Sequence, residues 1–145
     1  MSQGRIARRG LAAAGRLLQL VLVEGESMRP LAPPGAWLLV AAAQARRPAL
    51  GRMVVVEHPQ RSGFELVKRV SALSRERRLI WVAGDNPASS TDSDEFGPVR
   101  YASVRGWPLL RLWPLPPRWL RSDPRRLLPR DGLAGPAKLP PYRAP

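Results

Sequence analysis

The sequence predicts a mostly β domain with a short helix at its start. Two observations point there. Between residues 24 and 106, short runs rich in Val, Leu and aromatic residues alternate with Pro, Gly, Asn and Asp clusters, the pattern of strands joined by turns. Over the same span no helical periodicity of useful length appears.

The first 23 residues carry Arg5, Arg8, Arg9 and Arg16 and no acid. Residues 11–23 are apolar but broken by Gly15, Arg16 and Gln19. A spanning helix needs about 20 mostly apolar residues, so this run is too short. A basic start before a short apolar run is also the pattern of a secretory signal. The segment is expected as a short helix, packed on the domain or lying on a membrane surface. Strands are then predicted over Trp37–Ala41, Met53–Glu57, Phe64–Val70, Leu79–Ala83 and Val99–Val104. Pro33-Pro34-Gly35, Ser62-Gly63, Gly84-Asp85-Asn86-Pro87 and Gly97-Pro98 supply turns between them.

Beyond Trp107 the texture changes, because ten of the chain's 17 prolines lie there. Proline lacks the N–H a sheet ladder needs, so the sheet is expected to end near Gly106. Trp107, Trp113 and Trp119 recur six residues apart. Trp107 is expected to pack on the domain; Trp113 and Trp119 suit either an interfacial anchor or a fold-back over the domain edge. The organisation read from this is a basic segment over 1–23, a domain over 24–119 and an extended Pro/Arg-rich tail over 120–145.

The 145 residues suit one core of modest size. The net charge of +13 sits at the ends: residues 1–23 contribute +4, residues 24–100 +2 and residues 101–145 +7. A balanced middle with cationic arms is not the basic face of a specific nucleic-acid reader. The arms suit peripheral contact with anionic membrane, or serve only solubility. With no Cys and with His58 alone, thiol nucleophiles, disulfides and multi-histidine zinc sites are excluded. No metal or other cofactor is implied.

Three segments carry candidate chemistry. In Gly25-Glu26-Ser27-Met28-Arg29-Pro30 a serine stands among turn formers, which by itself is an ordinary turn. A serine hydroxyl becomes a nucleophile only beside a base. His58, before Pro59, reads as an exposed loop histidine. Lys68 lies in Phe64–Val70, where alternation places Leu66, Lys68 and Val70 on one face and Glu65, Val67 and Arg69 on the other. Aliphatic neighbours disfavour an ammonium and lower its pKa, which a lysine base requires. The bland alternative is a solvated edge lysine. The third segment, Gly84-Asp85-Asn86-Pro87-Ala88-Ser89-Ser90-Thr91-Asp92-Ser93, is dense in short polar side chains. It suits backbone turns, a loose cation site, or a shell that orients the amine.

Taken together, VEGESMRP, ELVKRV and GDNPASSTDS resemble the type I signal peptidase family, over about residues 22–106. Within it they are similar to the subset that matures nickel-type superoxide dismutase; the GDNPASSTDS loop and the Trp-Pro after the last strand look like its cyanobacterial members. The resemblance implies an antiparallel signal-peptidase-like fold and a serine endopeptidase with Ser27 as nucleophile and Lys68 as general base. It implies that the Ser27 N–H donates to the oxyanion, that Ser90 holds the lysine, and that Asp85, Asn86, Asp92 and Ser93 are structural members of the loop. Met28 is implied to line the substrate cleft. The implied substrate is a protein precursor trimmed at its N-terminus, such as a nickel superoxide dismutase proenzyme, in the cytoplasm or peripherally at the inner membrane. The chain departs from the family pattern at Gly25, where some members place an oxyanion-hole Ser, and at Leu31, which replaces a usual Thr. Ala36 and Arg52 stand where the family usually has Asp. Asp94 replaces a usual Arg, so an Asp92–Arg pair is expected to be lost. Two other readings stand beside this one: a general membrane-associated signal peptidase, and a basic binding protein or inactive peptidase-like scaffold.

Overall fold

The computed structural model describes residues 6–9 and 17–123. Their strands are β1 (Ile6–Arg9), β2 (Leu18–Val23), β3 (Trp37–Ala42), β4 (Met53–Glu57), β5 (Glu65–Ser74), β6 (Leu79–Ala83), β7 (Val99–Arg100), β8 (Val104–Trp113) and β9 (Arg118–Trp119). All pairings are antiparallel, in the order β1-β2-β3-β8-β4-β5-β6-β7, with β9 on β8. The one α-helix among the described residues is the single turn α1 (Ser93–Phe96). The expected mostly β, antiparallel architecture is what the chain adopts.

Alternation along the central strands gives the sheet a core on each face. Met53 and Val55 of β4 join Val67 of β5 in one cluster with Val21, Val23, Met28, Ala36 and Leu38. Val54 and Val56 join Leu66, Val70, Ile80, Val82 and Trp107 in the other. β4 and β5 are therefore apolar on both sides, and any charged group they carry inward is enclosed.

Two expectations are corrected. The predicted helix before residue 24 is not formed where the chain is described: Leu18–Val23 is a strand, and Ile6 lies opposite Val23 in the β1–β2 ladder. The run Leu18-Gln19-Leu20-Val21-Leu22-Val23 pairs with the apolar strand β3, and that pairing outweighs the helix propensity of its leucines. The sheet also continues past Gly106 to Trp113, through Pro108 opposite Val40. Pro108 falls between the residues of β8 that pair with β4, which end at Gly106, and those that pair with β9, which begin at Leu110. A missing N–H in that gap breaks no ladder bond. Gly106 lets β8 approach β3 closely, since a Cβ there would lie 2.6 Å from the Ala41 carbonyl oxygen.

The predicted Val99–Val104 strand is interrupted by a 3-10 turn at Tyr101–Ser103. Trp107 is buried, whereas Trp113, Leu115 and Trp119 are exposed on the β8–β9 hairpin. The boundary at residue 120 also shifts. Leu120 is in the core, the Ser122 hydroxyl donates to the Leu50 carbonyl at 2.6 Å and the Asp123 N–H to that of Gly51 at 3.0 Å. The rest of the predicted tail lies outside the described residues.

Candidate active site

The loop after β2 is closed at its base by the Gly35 N–H on the Val23 carbonyl and the Val23 N–H on that of Ala36. Within it, a tight turn (Arg29 N–H to the Glu26 carbonyl, 3.2 Å) sets Ser27 facing inward. Ser27 is fully buried, and its Oγ has no hydrogen-bond partner. A buried hydroxyl left unpaired costs about 1–3 kcal/mol, so something must hold it there. The backbone does so: the Asn86 N–H donates to the Ser27 carbonyl at 2.8 Å, and Asn86 Nδ2 to the Glu26 carbonyl at 3.1 Å. Asn86 thus fastens the serine turn to the polar loop after β6.

Gly84, which sequence reasoning left out of the site, makes this junction possible. A Cβ at Gly84 would lie 2.7 Å from the Ser27 carbonyl oxygen and 2.8 Å from Ser90 Cβ, closer than carbon atoms approach. Ser27 and Ser90 therefore meet across a bare backbone. The available signal was a glycine directly after a strand and ahead of a polar loop. Gly84→Ala is expected to separate the two loops and lower thermal stability by several degrees, which a calorimetric melt would measure; an unchanged melting temperature would mean the loops part without cost.

Lys68 pairs with Val54 in the ladder and is fully enclosed. Its Nζ donates to Ser90 Oγ at 2.6 Å and to Asp92 Oδ1 at 3.1 Å. Ser90 Oγ donates in turn to Asp92 Oδ1, which also accepts the Gly84 N–H at 3.0 Å. Burial pushes the lysine pKa below the ordinary lysine range, and the Asp92 and Glu95 carboxylates pull against that shift. The fall still prevails, because loss of hydration penalises the charged form more than two carboxylates favour it.

The next residue faces the other way. Arg69 Nε and Nη2 reach the two carboxylate oxygens of Asp85 at 2.7 and 2.8 Å, and Nη1 donates to the Gly51 carbonyl at 2.7 Å. The polar loop thus serves both faces of β5, with Asp85 on one and Ser90 and Asp92 on the other. Ser93 Oγ accepts the Val82 N–H at 2.8 Å, fixing the loop's far end to β6.

The structure therefore brings Ser27, Lys68, Asp85, Asn86, Ser90, Asp92 and Ser93 into one locus. Met28 does not line an open cleft: it is fully buried in the core with Val21, Val23 and Met53. Its unbranched side chain fills the space under the serine turn. His58 is corrected as well. It is buried rather than exposed, its ring lies against Phe64 and Phe96, and its Nδ1 accepts the Gln60 N–H. Burial first, and Arg61 second, hold its pKa below the usual value. It belongs to the packing under the β4–β5 turn and takes no part in the serine–lysine locus.

The departures at Ala36 and Asp94 acquire physical reasons. Ala36 is fully buried in the core, where a carboxylate would be stranded. Asp92, without an arginine two residues on, pairs with Lys68 instead. Arg52 donates to the Arg47 carbonyl and lies over the Trp107 ring.

The mostly β antiparallel sheet is the architecture expected of a signal-peptidase-like domain. Residues 6–77 match the family described as signal peptidase, peptidase S26. The matched span includes Ser27 and Lys68 and ends before the Gly84–Ser93 loop. Among curated proteins, the chain is 32% identical over 83 residues to mitochondrial inner membrane protease subunit 1 of Xenopus tropicalis, covering 45% of this chain and 50% of that protein. It is 33% identical over 85 residues to mitochondrial ATP-independent inner membrane protease subunit 1a of Arabidopsis thaliana, covering 45% and 51%. It is 29% identical over 156 aligned positions to mitochondrial inner membrane protease subunit 2 of Mus musculus, covering 90% and 79%. The chain spans about half the length of the first two. No solved structure gives a significant match.

Proposed function

We infer that this protein is a serine endopeptidase that trims the N-terminal segment of a protein precursor, with Ser27 as nucleophile and Lys68 as general base. The observation that carries the reading is the set of contacts around Lys68 Nζ. A neutral amine has two N–H bonds and one lone pair. Ser90 Oγ and Asp92 Oδ1 take the two N–H bonds, which leaves the lone pair as the acceptor for a third group. Ser27 Oγ, buried and without a partner at the same junction, is the hydroxyl available to supply it.

In the first half-reaction the Ser27 O–H proton passes to Lys68 Nζ while Oγ bonds to the scissile carbonyl carbon. The carbonyl electron pair moves onto oxygen. Collapse of that oxyanion breaks the C–N bond, and the Lys68 ammonium returns the proton to the departing amine. Water then attacks the acyl-serine, with Lys68 again taking the proton; collapse breaks the acyl C–Oγ bond, and Lys68 returns the proton to Ser27 Oγ. Ser27 is buried in this structure, so a substrate must first gain access to its Oγ.

Activity should rise with pH as Lys68 deprotonates, with a midpoint below the ordinary lysine range. A pH–rate profile of kcat/KM measures it; a flat profile from mildly acid to alkaline pH would remove Lys68 as the base. The sign for stability is the same. A folded-state lysine pKa below the unfolded one means that the folded protein binds fewer protons, so stability increases with pH up to the unfolded value.

The substrate is read from two sources. The relatives are named inner membrane proteases, which supports a precursor presented at a membrane. The motif resemblance supports a nickel superoxide dismutase proenzyme. No described helix is long and apolar enough to cross a membrane. Exposed Trp113, Leu115 and Trp119, beside Arg118 and Arg121, support peripheral contact with an anionic surface. The test is intact-mass analysis of two precursors, the dismutase proenzyme and a membrane-targeted presequence protein. Each is incubated with wild type, Ser27→Ala and Lys68→Ala. One N-terminal trim by wild type alone supports the reading and selects the substrate; trimming by all three proteins overturns the assigned residues.

A further inference from the structure

A cavity of about 550 Å³ opens on the rim of the sheet, sharing no residue with the serine–lysine locus. Its walls are built from three separate pieces of chain. The 3-10 turn Ala43–Ala45 after β3 leads into Arg46 and Arg47. The β5–β6 turn supplies Arg75 and Arg78, and the 3-10 turn before β8 with the start of β8 supplies Tyr101 and Trp107. No carboxylate lines the cavity, and Glu76 of the same β5–β6 turn is not among its walls.

Four like charges around one concavity repel one another and weaken the fold unless a counter-charge is gained. The wall is nonetheless firmly built. Trp107 Nε1 donates to the Ala43 carbonyl at 2.8 Å, and the Tyr101 N–H to the Arg78 carbonyl at 3.0 Å. The Arg78 guanidinium lies 5.4 Å from the centre of the Tyr101 ring. Arg78 also has φ of 53°, the one positive φ of a non-glycine residue among those described. A turn of this shape is ordinarily given to Gly or Asn, and an arginine held there is a strained choice. Glycine there would relieve the backbone but leave no guanidinium at the rim.

We propose that this cavity is a binding site for a phosphate-bearing anion. Guanidinium groups match phosphate oxygens in paired, charge-assisted hydrogen bonds, and a cluster drawn from separate turns surrounds such a group from several sides. The aromatic wall takes the apolar part of the same ligand. A lipid headgroup and a soluble phosphate ester both present this chemistry, and the proposal goes beyond the peptidase reading because it uses none of its residues.

The test uses the full chain with two probes: inorganic pyrophosphate by titration calorimetry, and vesicles of phosphatidylcholine with or without phosphatidylglycerol by co-sedimentation. Arg78→Gly suits the backbone conformation and removes one charge, so it should fold at least as well as wild type. Losing one charge-assisted contact should weaken binding about tenfold, and Arg75→Ala with Arg78→Gly further still. Arg118→Ala with Arg121→Ala, outside the cavity, should leave pyrophosphate affinity unchanged. Tighter, cavity-dependent binding to the anionic vesicles assigns a lipid headgroup; tighter, cavity-dependent binding to pyrophosphate assigns a soluble phosphate. If neither probe binds, or the two variant pairs weaken pyrophosphate binding equally, the proposal is overturned, the latter result marking general cationic attraction.

Discussion

Replacing Ser27 with alanine should abolish precursor cleavage and yet leave the protein as stable as wild type, or more so. The loss of turnover is expected to be on the order of 10⁴-fold or more, because no other group can form the acyl bond. The stability effect has the opposite sign from that of most core substitutions. Ser27 Oγ is buried without a partner, and alanine removes the stranded hydroxyl while keeping the backbone. The Asn86 bonds to the Ser27 and Glu26 carbonyls are untouched. Removing an unpaired buried hydroxyl recovers about 1–3 kcal/mol, or several degrees of melting temperature for a domain of this size. Mass analysis of the product and a calorimetric melt of the same sample read the two effects together. A variant that still cleaves would remove Ser27 as the nucleophile; an inactive variant that melts well below wild type would mean that the hydroxyl has a structural partner.

Replacing Asp85 with alanine should strongly destabilise the domain. Its carboxylate is the counter-charge of Arg69, and both side chains are almost wholly enclosed, at 6% and 1% exposure. Removing one partner of a buried pair costs about 3–5 kcal/mol, because the other charge is left in an apolar interior. Domains of this kind have only about 5–15 kcal/mol in total. Urea unfolding of Asp85→Ala, Arg69→Met and the double variant gives the coupling between the two. The double variant should recover much of the loss, since no bare charge remains and the Gly51 carbonyl keeps its bond from the Asp123 N–H. If Asp85→Ala unfolds at the wild-type midpoint, the pair is solvated in solution and contributes little. Cleavage activity should fall with stability in Asp85→Ala, because Asp85 precedes the Asn86 anchor of the serine turn.

Much of the sheet is legible residue by residue. Met53–Glu57 and Leu79–Ala83 form strands with the expected bounds, because short β-branched and aromatic runs between turn formers have little alternative. The enclosure of Lys68 follows from alternation, which sets it between Leu66 and Val70 on one face of β5. The misread segments all depended on partners distant in the chain. Leu18–Val23 has a helix-like composition and became a strand because β3 lay beside it. Pro108 stays in a strand because the neighbouring ladders leave a gap at its position. His58 looked exposed from its place before Pro59 and is buried because Phe64 and Phe96 close over it.

The sequence alone determined which residues could carry charge inward and on which side of β5 each would lie, since strand periodicity is a local property of the backbone. Only the tertiary structure decided their partners. Asp92 was free, by sequence, to pair with any cation within reach; it took Lys68, 24 residues away. Ser27 meets Ser90 only because Gly84 has no side chain to hold the loops apart. Such choices depend on the register of the sheet and the closure of long loops, which place groups by the sum of many packing contacts and not by the residues on either side of them.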